Sequence, residues 1–217
     1  PGSKERELLI EELDRQEKEI LEIPCIINGK EVFTGDIVEQ VMPHNHSHVI
    51  ARVHMAGENE VNNAIKAALD SHKMWSTMPW EARCAIFLKA SELLAGPRRY
   101  EINASTMLNQ SKTCHQAEID SACELIDFWR FNADYCRQIY EDLQPPVSPS
   151  SMWNSSEIRP LEGFVFSVTP FNFSSIAANL PSSAAIMGNT GVWKPSRNSY
   201  VSNYKLMKLM MEAGLPD

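Results

Sequence analysis

The carboxyl-terminal part of the chain alternates between strand and helix patterns, and this order constrains the fold more than any other feature of the sequence. Residues 163–168 form an apolar run typical of a buried strand, and residues 190–194 form a second one. Each run is followed by a helical pattern, at residues 173–187 and at residues 200–213. The order strand, helix, strand, helix predicts a parallel sheet whose ligand lies beyond the carboxyl ends of the strands.

The preceding part of the chain has a largely helical pattern. Residues 5–23 carry apolar side chains among many charged ones, which predicts an amphipathic helix that ends at Pro24. Asn28 and Gly29 lie between two short apolar runs and predict a tight hairpin turn, and an extended stretch follows to about His54. Helical spacing with few breakers then covers residues 59–70, 79–94, 98–109 and 113–140.

The composition changes abruptly at residues 143–160, where prolines, serines and asparagines accumulate. Two alternatives fit this segment: a disordered linker, or an extended hairpin with an apolar face formed by Met152, Trp153 and Ile158. The segment separates the helical pattern from the strand and helix units. We therefore divide the chain into residues 1–142, 143–162 and 163–217.

Composition and charge exclude several classes of protein. The 217 residues are 43% hydrophobic and 22% charged, which is typical of a globular chain. The 28 acidic and 20 basic side chains give a net charge of −8, which would repel a nucleic acid. Apolar runs are far shorter than the roughly 20 residues that cross a bilayer, and the first residues are charged. We expect no nucleic-acid partner, no membrane span and no secretory signal.

The five cysteines and the clustered histidines have ordinary interpretations. An odd number of cysteines without a Cys-x-x-Cys pair indicates reduced thiols used for packing. His44, His46, His48 and His54 share an extended segment, but neither carboxylates nor thiolates are spaced to complete a tetrahedral site, so we expect no metal. Cys114 lies beside Lys112 and His115, yet adjacent helical positions point apart, which favours packing or exposure over a reactive thiol.

Polar residues follow both predicted strands at the edge where a ligand is expected. Residues 169–173 (Thr-Pro-Phe-Asn-Phe) offer an amide donor, and residues 193–196 (Trp-Lys-Pro-Ser) offer an ammonium and a hydroxyl. Neither the dinucleotide-binding Gly-x-Gly-x-x-Gly pattern nor a Walker loop occurs in the sequence. Taken singly, Asn172 is also explained as a cap of the following helix and Lys194 as a solvated strand end.

Together these motifs resemble the aldehyde dehydrogenase superfamily. The motif sequences are most similar to those of its pyrroline-5-carboxylate dehydrogenase branch, which oxidises L-glutamate gamma-semialdehyde to glutamate and so completes proline breakdown. The resemblance implies the amino-terminal part of an α/β aldehyde dehydrogenase fold: helices, an oligomerisation hairpin at residues 143–162, and the start of a Rossmann-like parallel sheet. It is carried by residues 110–112, 116–120, 124–132, 159–164, 169–173 and 187–196.

The resemblance also implies a role for each matching residue. Asn172 matches the amide that stabilises the oxyanion formed when a cysteine attacks the aldehyde. Glu124 and Phe173 match residues of the substrate tunnel, although Glu124 is also explained as the partner of a basic side chain on its own helix. The remaining matches belong to the cofactor site, where they back the cofactor or hold its ribose: Val168, Thr169, Phe171, Lys194 and Ser196.

Several departures from the family pattern bear on these expectations. Family members are more than twice as long, and the nucleophilic cysteine and the water-activating glutamate are expected beyond Asp217. Gly191 and Ala184 stand where the family usually has valine and proline. Arg197 stands where many members have a glutamate that clasps the ribose and repels a 2′-phosphate. We expect NAD as the cofactor, with some use of NADP.

Two functions from different classes follow. The chain is the amino-terminal portion of an NAD-dependent dehydrogenase for a small aldehyde, inactive by itself, or it is a non-catalytic module of the same fold that only associates with other subunits. The resemblance implies a homodimer or a higher even homo-oligomer. It also implies the mitochondrial matrix, with the bacterial cytoplasm as the alternative.

Overall fold

In the computed structural model, which describes residues 2–217, the first helix is shorter than the sequence predicts. Helix α1 spans Lys4–Lys18 and begins at Ser3, whose hydroxyl accepts a hydrogen bond from Arg6 N. The chain then becomes extended at Glu19, and Leu21–Ile23 forms strand β1. The predicted helix over residues 5–23 is thus wrong in its last turn, because parallel pairing of β1 with a longer strand outweighs the local helical pattern.

Five short strands precede the main group of helices. Strands β2 (Cys25–Ile27) and β3 (Lys30–Val32) form the predicted hairpin. Its turn has φ of 52° at Asn28 and 68° at Gly29, the left-handed backbone that this residue pair tolerates. Strands β4 (Ile37–Met42) and β5 (Asn45–His54) pair antiparallel and complete a three-stranded sheet in the order β1–β5–β4.

The helical part follows the predicted order. Helices α2 (Glu58–Thr77), α3 (Trp80–Ala95), α4 (Arg99–Gln110) and α5 (Cys114–Ala117) come first. Helix α6 (Glu124–Arg137) lies between two π-helical segments, Glu118–Cys123 and Gln138–Asp142, within the single helix that the sequence predicts. Apolar side chains from α3, α6 and the two helices that follow in the chain form the larger core, including Phe87, Leu94, Leu125, Trp129 and Leu206.

The carboxyl-terminal part has the predicted alternation of strands and helices. Strand β6 (Val165–Val168) leads to α7 (Ser174–Ile186), and β7 (Gly191–Lys194) leads through a 3₁₀ turn (Arg197–Ser199) to α8 (Tyr200–Ala213). Strands β6 and β7 are parallel, with Val168 opposite Lys194. Helix α8 ends at Gly214, which has φ of 110°.

Residues 143–162, hereafter the arm, contain neither helix nor strand. The two halves of the arm nevertheless lie side by side, because Gln144 Nε2 donates to Ser156 O over 3.2 Å and Ser156 N donates back to Gln144 Oε1 over 2.8 Å. The division of the chain at the arm stays a prediction. Across residues 2–217, helices with the length and apolar character of a membrane span are absent.

Candidate active site

The carboxyl ends of the two parallel strands bring the predicted motifs together. Thr169 N donates to Lys194 O over 3.2 Å, which continues the pairing one residue past β6. Trp193 Nε1 donates to Thr169 Oγ1 over 2.9 Å, and Thr169 is buried. The loop that follows β6 and the loop that follows β7 are therefore fixed against each other at the edge where parallel sheets bind ligands.

Asn172 lies in the loop between β6 and α7, and its side chain is exposed. Helix α7 begins at Ser174, and its cap is the extended residue Phe173, which makes no side-chain capping bond. The alternative that Asn172 caps this helix is therefore wrong. Its amide is left at the strand end as a hydrogen-bond donor that carries no charge.

Gln110, the last residue of α4, contacts the Asn172 loop on both sides. Its Nε2 donates to Phe171 O, and its Oε1 accepts a hydrogen bond from Ser174 Oγ at 2.8 Å. Gln110 belongs to a motif that carries the family resemblance, but the sequence predicts no role for it. Helical spacing carries no signal for a contact between residues so far apart in the chain.

Lys194 and Ser196 lie at the end of β7. The Lys194 side chain is exposed, and its Nζ donates to Pro195 O over 3.2 Å, so the interpretation as a solvated strand end remains open. Ser196 O accepts from Ser199 N at 3.1 Å, which starts the 3₁₀ turn. Arg197 is the first residue of this turn and is exposed. Burial raises the pKa of the nearby Tyr200 hydroxyl, and the Arg197 charge opposes that shift.

Apolar side chains are exposed on the strand β6, next to Lys194 at the end of β7. Val168 and Phe171 are 58% and 57% exposed, and Phe166, on the same side of β6 as Val168, is 59% exposed. Ser167 and Thr169 lie on the opposite side and are buried. An apolar surface beside a lysine fits a flat ring joined to a hydroxyl-rich sugar, as in the adenosine half of NAD. The residues present therefore fit that cofactor.

Glu124 and Phe173 both lie near the start of α7. Glu124 follows the first π-helical segment, and its carboxylate accepts a hydrogen bond from the buried Ser175 Oγ on α7. This partner on α7 argues against the alternative of a basic partner on its own helix. The Phe173 ring lies under Lys112 Nζ, 4.8 Å from the ring centroid.

Lys112 is itself held by an ion pair. Its Nζ is 2.6 Å from Asp120 Oδ2, and the two side chains are only 16% and 11% exposed. Asp120 belongs to the π-helical segment that precedes Glu124. The two predicted substrate residues, Glu124 and Phe173, are thus positioned by neighbours for which the sequence predicts no such role, and π-helical segments of this kind often occur at functional sites.

The five cysteines lie outside the loops that follow β6 and β7. Cys84 and Cys136 are buried in the core, where a hydrogen bond with Cys136 and burial raise the pKa of Cys84. Burial and the charge of Glu118 raise the pKa of Cys123. Cys25 lies in β2, and the exposed Cys114 begins α5. These environments favour protonated thiols over an activated nucleophile at Cys84 and Cys123.

Three of the four histidines of the extended segment, His44, His48 and His54, have separate partners. His44 Nδ1 shares a hydrogen bond with Ser111 Oγ at 2.7 Å, His48 Nε2 donates to Glu17 O at 2.7 Å, and His54 Nδ1 accepts from Gly35 N at 3.1 Å. Within residues 2–217, groups of three or more histidine, cysteine or acidic side chains arranged for a metal ion are absent.

The sequence pattern of the aldehyde dehydrogenase family matches residues 33–217. The chain belongs to this family. A delta-1-pyrroline-5-carboxylate dehydrogenase from Agaricus bisporus is 47% identical over 217 residues, covering 100% of the chain and 40% of that protein. The mitochondrial delta-1-pyrroline-5-carboxylate dehydrogenase of Homo sapiens is 45% identical over 215 residues, covering 99% of the chain and 38% of that protein.

Solved structures agree with the sequence comparison. The Mycobacterium tuberculosis delta-pyrroline-5-carboxylate dehydrogenase bound with NAD superimposes with a TM-score of 0.97 at 45% identity, over 100% of this chain and 40% of that chain. A Thermus 1-pyrroline-5-carboxylate dehydrogenase with bound NAD gives a TM-score of 0.91 at 28% identity, over 99% and 42%. The predicted fold, the amino-terminal part of an aldehyde dehydrogenase, is confirmed. The chain spans well under half the length of these relatives.

Proposed function

We propose that the full-length protein oxidises L-glutamate gamma-semialdehyde, formed from pyrroline-5-carboxylate, to glutamate in proline catabolism, with NAD as the main cofactor. Similarity to relatives with this name along the whole chain supports the substrate. The observation that carries the proposal is the parallel register of β6 and β7, which sets the Asn172 loop and the last residue of β7, Lys194, at one edge. A reacting aldehyde and a bound dinucleotide then meet at that edge.

Asn172 is the catalytic residue of this segment. When a cysteine thiolate attacks the aldehyde, the carbonyl oxygen gains negative charge, and a preorganised amide stabilises it without changing its own protonation. The exposed Asn172 amide, held in a loop that is tied to α4, suits this role. NAD, when bound, accepts the hydride from the substrate.

The other site residues bind and orient the cofactor and the substrate. Lys194 and Ser196 hold the adenosine ribose, while Val168, Thr169 and Phe171 back the cofactor. Phe173 provides an apolar surface for the methylene groups of the semialdehyde. Glu124 receives the polar end of the semialdehyde. The Glu124 carboxylate itself lies at the start of α7, where the positive end of the helix dipole and the Ser175 hydroxyl stabilise it.

The chain of residues 1–217 is inactive by itself in this proposal. The cysteines at positions 25, 84, 114, 123 and 136 lie outside the strand-end loops, so the nucleophile and the base that activates water belong to another part of the protein. Localisation follows the relatives: several eukaryotic ones are named mitochondrial, which supports the matrix, and the bacterial cytoplasm is the alternative.

The arm supports a proposal about partners. Trp153 is 87% exposed, Val147 is 72% exposed and Met152 is 66% exposed, a costly arrangement for a free subunit. We assign the arm to pairing between subunits in a homodimer or a higher even oligomer. The same exposure favours the second candidate function, a non-catalytic module of this fold that only associates with other subunits.

A substrate comparison tests the proposed function. Purified full-length protein and the 217-residue chain are each given NAD with glutamate semialdehyde or with propanal, which lacks the amino-acid end. The full-length protein is expected to reduce NAD with a higher kcat/KM for glutamate semialdehyde, and the 217-residue chain is expected to reduce none. Equal kcat/KM for the two aldehydes would reject the substrate, and the absence of turnover by the full-length protein would favour the non-catalytic module.

A further inference from the structure

The loop that carries Asn172 is held from outside by one side chain. Gln110 Nε2 donates to Phe171 O, the carbonyl immediately before Asn172. Gln110 Oε1 accepts from Ser174 Oγ at 2.8 Å, two residues after Asn172. A single amide therefore bonds to the chain on both sides of the proposed oxyanion donor, through the backbone carbonyl of Phe171 and the side-chain hydroxyl of Ser174.

Gln110 and its partner Ser174 both belong to packed helices. Gln110 is the last residue of α4, and the next residue, Ser111, ends the helix with a left-handed backbone at φ 53° and ψ 37°. Ser174 is fully buried and also lies 3.2 Å from Thr106 Oγ1 and 3.2 Å from Ser202 Oγ. These contacts join the start of α7 to α4 and α8. Gln110 therefore holds the Asn172 loop against these helices.

We propose that Gln110 is a positioning residue for Asn172: it does not touch the substrate, but it holds the Asn172 amide where the oxyanion forms. The inference rests on the proposed function, because it needs Asn172 to be the oxyanion donor. Stabilisation of a developing charge depends steeply on donor placement, and a displacement of about 1 Å can cost up to about a hundredfold in rate. Loss of the two Gln110 hydrogen bonds should therefore lower kcat without weakening substrate or NAD binding.

The test uses the full-length protein with Gln110→Met, which keeps the length of the side chain and removes both hydrogen bonds. We expect kcat to fall roughly tenfold, with KM for the aldehyde and Kd for NAD changed less than about twofold. Gln16→Met is the matched control, because Gln16 is a buried glutamine whose Nε2 donates to Glu101 O over 2.9 Å on α4, away from the loop. The control is expected to retain kcat.

A double-mutant cycle separates positioning from general loosening of the fold. If Gln110 acts through Asn172, then Gln110→Met should lower kcat by less than about twofold in an Asn172→Ala background. Full additivity of the two changes would overturn the inference. If Gln110→Met does not fold, Gln110→Glu replaces it, since Glu keeps an oxygen for Ser174 and loses the donor to Phe171, and it is also expected to lower kcat.

The single variants separate the positioning role of Gln110 from the oxyanion role of Asn172. Asn172→Ala with reduced kcat and Gln110→Met with unchanged kcat would overturn the positioning role and leave the proposed function in place. An unchanged kcat in Asn172→Ala would contradict the oxyanion role in the proposed function, and the inference with it. Equal losses of kcat in Gln110→Met and Gln16→Met would also overturn the positioning role.

Discussion

The indole nitrogen of Trp193 donates a hydrogen bond to Thr169 Oγ1 over 2.9 Å. Trp193 is the third residue of β7, and Thr169 is the first residue after β6. This bond joins the two strands at their carboxyl ends, where the candidate site lies. The loop bearing Asn172 and the end of β7 at Lys194 therefore keep one relative position.

Removing the Thr169 hydroxyl is expected to destabilise this edge. Thr169→Val keeps the shape of the side chain but leaves the Trp193 N–H without its acceptor, which costs about 1–3 kcal/mol in a buried setting. Urea denaturation of the full-length protein would measure the free energy of unfolding. Thr190→Val is the control, because its hydroxyl makes a long 3.5 Å contact with Gly163 O at the other end of the sheet. Equal losses in the two variants would contradict a specific role for the bond.

Much of this architecture could be predicted because it depends on local patterns. The period of the apolar residues and the turn at Asn28 and Gly29 predicted β6, α7, β7, α8 and the hairpin. The last turn of the predicted first helix was wrong because Leu21–Ile23 pairs with a distant strand. No local pattern contains information about that partner.

The candidate site, too, could be predicted from the sequence only in part. The placement of Asn172 and Lys194 at one edge could be predicted because parallel strands end there, and their roles stay predictions. Gln110 and Ser175 could not be assigned roles, because each makes a side-chain contact with a segment distant in sequence. The π-helical segment before Glu124 was also missed, because its backbone hydrogen bonds span five residues instead of four and the apolar pattern does not show that change.

Arg197 is expected to permit some use of NADP. Its exposed guanidinium lies in the turn three residues after Lys194, where a pair of positive charges favours a 2′-phosphate. In the full-length protein, Arg197→Glu should raise the ratio of kcat/KM for NAD over that for NADP by about tenfold or more. Steady-state kinetics with the two cofactors would measure the ratio. An unchanged ratio would remove Arg197 from the cofactor site.

The arm is expected to stabilise the oligomer through Trp153. Burial of a large apolar side chain contributes about 1.5–3 kcal/mol, so Trp153→Ser should raise the dissociation constant between subunits at least tenfold. Sedimentation of the full-length protein over a range of concentrations would measure it. Leu69→Ser is the control, because Leu69 is also exposed but lies on α2 outside the arm. A monomeric parent protein, or equal effects of both changes, would reject the pairing.

The most direct test of the account is the kcat of Asn172→Ala in the full-length protein with glutamate semialdehyde and NAD. Loss of one oxyanion donor is expected to lower kcat by roughly 10² to 10³, while Kd for NAD stays within about twofold. Asn62→Ala, which removes an exposed amide from α2, serves as the control and should retain kcat. A fall in kcat of less than about threefold in Asn172→Ala would contradict the assignment of this residue, and with it the catalytic role of the strand-end site.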